Sequence, residues 1–157
     1  MYKSCAVTGS FDPVTLGHVD LVNRAKEIFD KVYVLMLINP DKEYAFSRED
    51  RLKMLNAVFS GDERVEVCFY DGYTCDFCRD KDIKALIRGV RGEKDFQYEV
   101  ELAKLNYEYG KLNTYFLYAK DELIDVSSSS AKQMLNDKRL ENYMPQKAIA
   151  VIKEMTK

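Results

Sequence analysis

Short apolar runs alternate along the chain with longer amphipathic segments. The runs are typical of β-strands, and they lie at positions 4–8, 32–38, 65–70, 85–87 and 114–118. The second run is apolar at every position, as expected for a strand that is covered on both faces of a parallel sheet. We therefore expect a sheet of five strands with the second near its centre.

Between the runs, apolar residues recur at spacings of three and four, which predicts helices. The first helix is predicted over 15–29, and a short third helix over 74–79. The second is predicted to begin at Ser47, with Asp50 as a capping partner three residues later. Its predicted apolar face consists of Leu52, Leu55, Val58 and Phe59.

The second half of the chain continues the alternation. A long helix is predicted with one face formed by Phe96, Val100, Ala103 and Tyr107 at spacings of three and four. The serine run 127–130 predicts a helix start, and Pro145 is suited to the first position of a terminal helix. No linker or internal repeat divides the chain, so we expect a single domain over 1–157.

Repeated strand–helix units with short connections predict an α/β fold with a doubly wound, mostly parallel five-stranded sheet. In such open sheets, ligands bind outside the carboxyl ends of the strands, where the strand order reverses. Polar segments follow every predicted strand, and they should all face one rim. These segments are 9–18, Lys42, 72–74, 88–91 and the serine run 127–130.

Overall charge narrows the class of ligand. The 157 residues carry a net charge of -2, and the isoelectric point is near 5.6. This balance argues against a nucleic-acid-binding protein, so any anionic ligand must be bound by local positive charge. The longest apolar run is too short to span a bilayer, and no apolar leader is visible. We expect a cytoplasmic protein that binds neither membrane nor nucleic acid.

The segment 9–18 joins the first strand to the first helix and contains the only histidine, His18. A helix N-terminus offers free N–H groups and a positive dipole end to an anion. Thr15 and His18 are three residues apart and share one face of the first turn, and Gly17 allows a ligand to approach closely. A lone histidine is more often structural. Its place in the expected ligand crevice favours a role in donating a hydrogen bond to a phosphate oxygen.

Two familiar phosphate-binding loops are absent from this segment. A dinucleotide-binding loop needs G-x-G-x-x-G, but here Gly9 is followed by no glycine until Gly17. A P-loop also fails, because no G-x-x-x-x-G-K-[ST] occurs. Phosphates must therefore be held by other groups.

Two later segments supply such groups. Arg88 and Arg91 follow a buried strand, and guanidinium groups match phosphate oxygens in pairs. In the serine run, hydroxyl and N–H groups at a helix start are further anion donors, and Lys132 adds charge in the following turn. Each segment alone is compatible with a solvated loop. Together on one rim they favour a polyphosphate ligand.

This donor set contains no nucleophile–base pair and no cluster of catalytic carboxylates. It suits phosphoryl or nucleotidyl transfer, in which the protein mainly positions two reactants and stabilises charge on phosphate oxygens. The cysteines Cys75 and Cys78 form a C-x-x-C pair, but the chain lacks the further ligands of a zinc site. We interpret the pair as small, half-buried thiols on a helical turn rather than as a redox site.

Several motifs resemble those of one family. The segment 9–18 resembles the T/H-x-G-H signature of the nucleotidylyltransferase superfamily. The segment 87–91, the pattern Asp95-Phe96-x-Tyr98-Glu99 and the serine run followed by Lys132 are similar to those of the phosphopantetheine adenylyltransferases. The resemblance implies a Rossmann-like nucleotidylyltransferase fold. It also implies adenylyl transfer from ATP to 4′-phosphopantetheine, which gives dephospho-coenzyme A and pyrophosphate.

The resemblance further implies direct in-line attack without a covalent intermediate, with His18 stabilising the transition state and Lys42 and Arg88 as further catalytic residues. Mg²⁺ would be held mainly by the phosphates of ATP rather than by protein ligands. A homohexamer is implied, and coenzyme A is a candidate feedback ligand. The phosphopantetheine contacts carried over are Ser10, Lys42, Thr74 and Arg88. The ATP contacts are Ser10, Phe11, His18, Gly89, Val90, Arg91, Glu99, Leu123, Ile124, Asp125, Val126, Ser127, Ser128 and Ser129.

The chain departs from the family pattern at a few positions. Thr8 stands where proline is frequent, and Gln133 stands where an acid is frequent. The segments 92–94 and 123–126 also differ from the usual composition. These departures bear on the adenine surroundings and on regulation. Alternatives are a sister nucleotidyltransferase with another acceptor, such as glycerol phosphate or nicotinate mononucleotide, and a non-catalytic nucleotide sensor.

Overall fold

A computed structural model describes residues 2–157. The described residues form a parallel five-stranded sheet in the order β3-β2-β1-β4-β5, which confirms the predicted α/β class. The strands are β1 (Ser4–Gly9), β2 (Lys31–Leu37), β3 (Val65–Tyr70), β4 (Ala85–Val90) and β5 (Asn113–Tyr118).

Helices connect the strands and close the chain. They are α1 (Leu16–Lys26), α2 (Arg48–Phe59), α3 (Thr74–Asp80), α4 (Glu93–Gly110), α5 (Ser128–Gln133) and α6 (Gln146–Met155). Two short 3-10 segments, Asp121–Leu123 and Lys138–Asn142, flank α5. Ser47 caps α2 as predicted, since its side chain accepts a hydrogen bond from the Asp50 N–H. Pro145 precedes α6 as its N-cap, one position earlier than predicted.

The strand order reverses at β1. In the register, Val7 of β1 pairs with Val34 of β2 on one side and with Ile87 of β4 on the other. The connections after β1 and β4 therefore leave in opposite directions, and a crevice opens between them at the carboxyl ends. This topology puts the segments 9–18 and 88–91 on the two sides of one crevice.

Successive residues of the central strands point to opposite faces of the sheet. Val7 belongs to a core cluster with α1, α2 and α6, whereas Ala6 belongs to a second cluster with α3. Both residues are fully shielded from solvent. The sheet is thus covered on both faces, as the continuous apolar run of β2 predicted.

Two element ends lie three residues away from the positions predicted from the sequence. Helix α1 ends at Lys26 rather than at position 29, and the following Ile28 is exposed. Strand β4 continues to Val90 rather than ending at position 87. The extension follows from pairing with β5, in which Arg88 lies opposite Phe116 and Val90 opposite Tyr118. Arg88 therefore projects from a strand and not from a loop.

The helix face predicted for α4 is only partly covered by the rest of the chain. Phe96 and Tyr107 are exposed, and Val100 and Ala103 are only partly buried. The one buried residue described on α4 is Glu99. Helical periodicity identifies an apolar stripe, but it does not say whether the same chain covers that stripe. This apolar stripe faces outward here.

Cys75 and Cys78 lie within one turn of α3, as predicted. Cys78 is fully buried, and burial raises the pKa of its thiol to about 12. Burial also raises the pKa of Cys75. Thiolate formation, which redox exchange requires, is therefore disfavoured at both positions.

Candidate active site

Two adjoining cavities occupy the crevice at the strand ends. The larger has a volume of about 790 Å³ and reaches from the end of β1 to α3 and α4. The smaller, of about 370 Å³, lies between the start of α1, the end of β4 and the start of α5. The residues that line both cavities are Thr8, Gly9, Ser10, Lys42 and Arg88.

His18 lies in the smaller cavity, in the first turn of α1. Thr15 is the N-cap, and its side chain accepts a hydrogen bond from the His18 N–H. In return, the Thr15 N–H donates to His18 Nδ1 over 2.9 Å. Because Nδ1 accepts this bond, the ring proton of the neutral imidazole lies on Nε2. The capping box thus gives His18 a single defined donor.

The charge state of His18 is set by its surroundings. Burial, followed by the positive charges of Arg88 and Arg91, lowers the pKa of His18 to about 4. The ring of Phe11 packs edge-to-face against the imidazole, with 4.8 Å between the ring centroids. At neutral pH the ligand-free site therefore contains a neutral imidazole that donates a hydrogen bond.

Arg88 is held in a fixed orientation by protein groups. Its Nε and Nη2 donate to the two carboxylate oxygens of Glu99 over 2.8 and 2.7 Å. Its Nη1 donates to the carbonyl and to the hydroxyl of Thr8. These contacts engage four of the five N–H donors and leave, within the described chain, one Nη2 donor for a ligand. The Thr8 hydroxyl is a contact that proline at this position would not supply.

Ser10 and Lys42 meet at the junction of the two cavities. The Lys42 ammonium donates to Ser10 Oγ over 3.2 Å, although the residues come from different strand–helix connections. Thr74, the first residue of α3, lines the larger cavity beyond them. All of the predicted phosphopantetheine contacts, namely Ser10, Lys42, Thr74 and Arg88, therefore line one cavity.

Most of the predicted ATP contacts line the smaller cavity. These are Ser10, Phe11, His18, Gly89, Val90, Arg91, Leu123, Val126, Ser127, Ser128 and Ser129. Ile124 and Asp125 lie outside its lining, and Glu99 lines the larger cavity instead, where it binds Arg88. The Arg91 guanidinium is oriented by Asp95, whose Oδ2 lies 3.0 Å from its Nε.

The serine run is used largely for folding. Ser127 and Ser130 form a capping box at the start of α5, and the Ser128 hydroxyl donates to the Pro13 carbonyl over 2.8 Å. Ser129 is exposed at the cavity. Lys132 lies 3.5 Å from the Asp12 carboxylate. Sequence reasoning treated these hydroxyls as equivalent donors, whereas the structure leaves Ser129 as the exposed one.

Two buried polar residues near the site were missed by the sequence analysis. Asp12 is 1% exposed and Arg51 is 2% exposed. Arg51 precedes Leu55 and Phe59 by four and eight residues, so the helical period places all three on one face. That spacing was the available signal. It was overlooked because an arginine is not expected on the buried face of a helix.

Carboxylates near the cavities are engaged by protein donors. Asp12 accepts two backbone N–H groups, Asp20 contacts Arg24 and Lys120, and Glu99 contacts Arg88. No group of three or more His, Cys, Asp and Glu side chains suited to a metal ion occurs in residues 2–157. The donor set therefore does not fit a resident Mg²⁺ site built from protein ligands.

Within the part of the chain that the structure describes, no helix has the length and apolar character needed to cross a bilayer.

The chain is similar in sequence to one family model and to many known proteins. Residues 6–134 match the cytidylyltransferase-like family model. A phosphopantetheine adenylyltransferase from Thermotoga neapolitana is 42% identical over 127 residues, which cover 80% of this chain and 79% of that protein. The corresponding protein from Leptospira biflexa is 36% identical over 146 residues, or 91% of each chain.

A solved structure shares the fold. It is a bifunctional NMN adenylyltransferase/ADP ribose pyrophosphatase from Francisella tularensis, in complex with AMP and a manganese ion. The TM-score is 0.70 with 15% sequence identity, and the match covers all of this chain and 50% of that longer chain. At this identity the likeness extends to the fold alone.

Proposed function

The chain belongs to the phosphopantetheine adenylyltransferase family, and from this we propose that it transfers the adenylyl group of ATP to 4′-phosphopantetheine. The products are dephospho-coenzyme A and pyrophosphate. Coenzyme A synthesis is the process that this reaction serves.

One observation carries the proposal. The two cavities meet over Ser10, Lys42 and Arg88, so the phosphates of two substrates would meet at the same donors. The larger cavity combines apolar walls, such as Leu37 and Leu102, with polar groups, which suits a long amphipathic arm. The smaller cavity adjoins the helix N-terminus and Arg91, which suits a nucleotide phosphate chain.

The chemistry is direct transfer. A phosphate oxygen of phosphopantetheine attacks the α-phosphorus of ATP in line, and a new P–O bond forms. The bond from the α-phosphorus to the bridging oxygen breaks, and pyrophosphate leaves with the electron pair. His18 Nε2–H donates to a non-bridging α-phosphate oxygen, where negative charge increases in the transition state. Lys42 and Arg88 hold the attacking phosphate, and Mg²⁺ carried by the phosphates of ATP would neutralise part of their charge.

Pyrophosphate release across a set of acceptors tests the proposal. ATP with 4′-phosphopantetheine should give turnover, whereas glycerol phosphate and nicotinate mononucleotide should not. CTP in place of ATP serves as the nucleotide control. Absence of release with phosphopantetheine, or faster release with another acceptor, would refute the proposed substrate.

A non-catalytic nucleotide sensor on the same fold is the alternative from a different class. It would bind ATP tightly without turnover. Ser10, Lys42 and Arg88 argue against it, because a pure nucleotide binder needs no second phosphate site beside the first. Calorimetric ATP binding combined with a null pyrophosphate assay would favour the sensor.

We further propose a homohexamer with coenzyme A as a feedback ligand. Support for assembly comes from the exposed apolar side chains of α4, among them Phe96, Leu105 and Tyr107. The four cysteines are free thiols, which suits the reducing cytoplasm as the proposed location. Sedimentation gives the assembly size, and inhibition of pyrophosphate release by added coenzyme A tests the feedback.

A further inference from the structure

Arg51, on α2, is an arginine buried without an acidic partner. Its side chain is 2% exposed and is among the largest that are fully shielded from solvent. No ion pair among residues 2–157 includes it. Removing a guanidinium from water is unfavourable unless strong contacts replace the water. A leucine or methionine would fill the same space, so the charge requires an explanation.

Arg51 contacts the two segments that carry the proposed phosphate-binding side chains. Arg51 Nη1 donates to the Ser10 carbonyl over 2.9 Å, and Nε lies 3.4 Å from the Ser47 carbonyl. The guanidinium also stacks on the ring of Tyr44, 4.0 Å from its centroid. One side chain thus joins the turn after β1 to the loop after β2.

That loop carries Lys42 and is fastened on both sides of it. The Tyr44 hydroxyl accepts from the Asn39 N–H over 2.7 Å, which closes the loop on itself. The Asp12 carboxylate accepts from the backbone N–H groups of residues 45 and 46, each over 2.9 Å. Arg51 and Asp12 therefore attach the loop to the turn at two points. Lys42 reaches Ser10 Oγ from this attached loop.

The bond to the Ser10 carbonyl also acts on the turn itself. The C=O and N–H groups of one trans peptide unit point in opposite directions, so fixing the Ser10 carbonyl fixes the direction of the Phe11 N–H. Phe11 has a φ of 47°, in the left-handed region that non-glycine residues rarely adopt. Its ring contacts His18. Contacts from Arg51 thus help to hold a strained turn beside the proposed transition-state donor.

We propose that Arg51 is a positioning residue, which sets the separation of Ser10 and Lys42 and thereby the geometry of the acceptor-phosphate site. This inference rests on the proposed function. Arg51 touches no substrate, and its effect passes through Ser10, Phe11 and the loop that carries Lys42.

The experiment compares Arg51→Met, Arg51→Lys and a matched control, Met54→Ala. Met54 is fully buried on the same helix, within the hydrophobic core. Steady-state pyrophosphate release gives kcat and the two KM values, and thermal unfolding with and without phosphopantetheine gives acceptor binding independently of turnover. Displacing a side chain that binds the reacting phosphate by about 1 Å can lower the rate by about 10²-fold.

For Arg51→Met we expect kcat/KM for phosphopantetheine to fall by about 10²-fold. The KM for ATP should change by less than about threefold, because Arg91 and the start of α5 lie outside the perturbed loop. Arg51→Lys retains one donor for the Ser10 carbonyl and should recover at least about tenfold of the loss. Met54→Ala should lower Tm and leave all kinetic constants within about twofold of wild type.

A purely structural role would make Arg51→Met behave like Met54→Ala, with a lower Tm and unchanged kinetic constants, and that result would overturn the inference. If kcat/KM for phosphopantetheine is no higher in Arg51→Lys than in Arg51→Met, the role of the Ser10 hydrogen bond is overturned. Phosphopantetheine should raise the Tm of wild type and Met54→Ala alike, and raise it less in Arg51→Met. If wild type binds phosphopantetheine but does not turn it over, the proposed function fails while the binding comparison still decides the role of Arg51. A wild type with neither property refutes both.

Discussion

At the scale of single residues, the neighbours of His18 decide which form of the imidazole is present. The Thr15 N–H donates a hydrogen bond to Nδ1. Burial, together with the charges of two arginines, disfavours the protonated imidazole. A donor that stays neutral gives up no proton during the reaction. This suits a transition state in which charge increases on a phosphate oxygen without proton transfer to the leaving pyrophosphate.

Replacing His18 should therefore affect turnover more than binding. For His18→Ala we expect kcat to fall by about 10²-fold or more, because the lost hydrogen bond is strongest in the transition state. Calorimetry should show ATP affinity within about threefold of wild type. Normal turnover in this variant would exclude the proposed role.

The lowered pKa of His18 can be measured directly, since the chain has no other histidine. In tag-free, ligand-free protein we expect the imidazole NMR signals to stay constant from pH 8 to about 5.5. Between the ordinary pKa of about 6.5 and the folded value of about 4, the unfolded chain binds more protons at this residue. The contribution of His18 to the free energy of unfolding should thus decrease as pH falls through this window. A titration midpoint near 6.5 would contradict the deduced charge state.

The Arg88–Glu99 pair makes a separate prediction. Glu99→Gln removes one of the two acceptors that fix the guanidinium, so we expect a loss of about 2 kcal/mol in the free energy of unfolding. The kcat/KM for phosphopantetheine should fall by about tenfold, as Arg88 becomes free to move. Glu101→Gln is the matched control on α4, because its ion pair with Lys104 is exposed and should contribute less than about 1 kcal/mol. Equal effects of the two substitutions on unfolding and on turnover would count against the positioning of Arg88.

Residue chemistry was predictable from sequence where it depends on local spacing. Thr15 and His18 are three positions apart, and helical geometry alone brings them together. Arg51 and Ser10 are 41 positions apart, and their contact depends on how α2 packs against the end of β1. Long-range polar contacts of this kind leave no periodic trace in the sequence.

At the scale of elements, the acceptor side of the site depends on two connections as well as on the strands and helices that they join. The turn after β1 and the loop after β2 are joined through Asp12, Arg51 and Lys42. Each connection is short, but together they form one unit anchored on α2. Movement of one connection should therefore change the other.

Asp12→Asn tests this coupling by amide exchange. The neutral amide can accept only one of the two N–H groups from residues 45 and 46, and its NH₂ group opposes the other. We expect exchange at Ala45 and Phe46 to accelerate by about tenfold or more, as one charge-assisted hydrogen bond is lost. The Val34 amide in β2 is the internal control. Faster exchange at Val34 as well would indicate general destabilisation rather than release of the loop.

The strand prediction was most accurate where turn residues follow the strand directly. The interval 65–70 was predicted to the residue, because Asp71 and Gly72 end an apolar run. At β4, the polar Arg88 suggested an early end, although pairing with Phe116 of β5 continues the strand. Strand ends that depend on a partner distant in sequence are not visible in local composition.

At the scale of the whole molecule, α4 and β5 form an exposed apolar face beside the larger cavity. A groove of about 410 Å³ lies between them, lined by residues such as Val100, Tyr107 and Phe116. Among the exposed large apolar side chains of α4, Phe96 and Tyr107 are eleven residues apart and share this face of the helix. The helical spacing of the sequence predicted this face, and self-association is the proposed means of covering it.

Phe116→Glu should disrupt that assembly. The Phe116 ring packs against Phe96 at 5.3 Å, so a carboxylate here would place charge inside the proposed interface. We expect wild type to sediment as an oligomer and the variant as a smaller species with an unchanged far-UV spectrum. Ile28→Glu, at an exposed apolar position after α1, is the control and should retain the wild-type mass. Equal sedimentation of all three proteins would exclude this face as the interface.

The junction of the two cavities over Ser10, Lys42 and Arg88 has a consequence for inhibitor chemistry. A single molecule that covalently joins an acceptor-like arm to an adenylate would occupy both cavities through one shared phosphate region. Once one half is bound, the other is delivered at an effective concentration in the millimolar range or above, set by the tether between them. Such a bisubstrate ligand should bind about 10²- to 10⁴-fold more tightly than either half alone. The tether length that gives the tightest binding would then report the distance between the two sites.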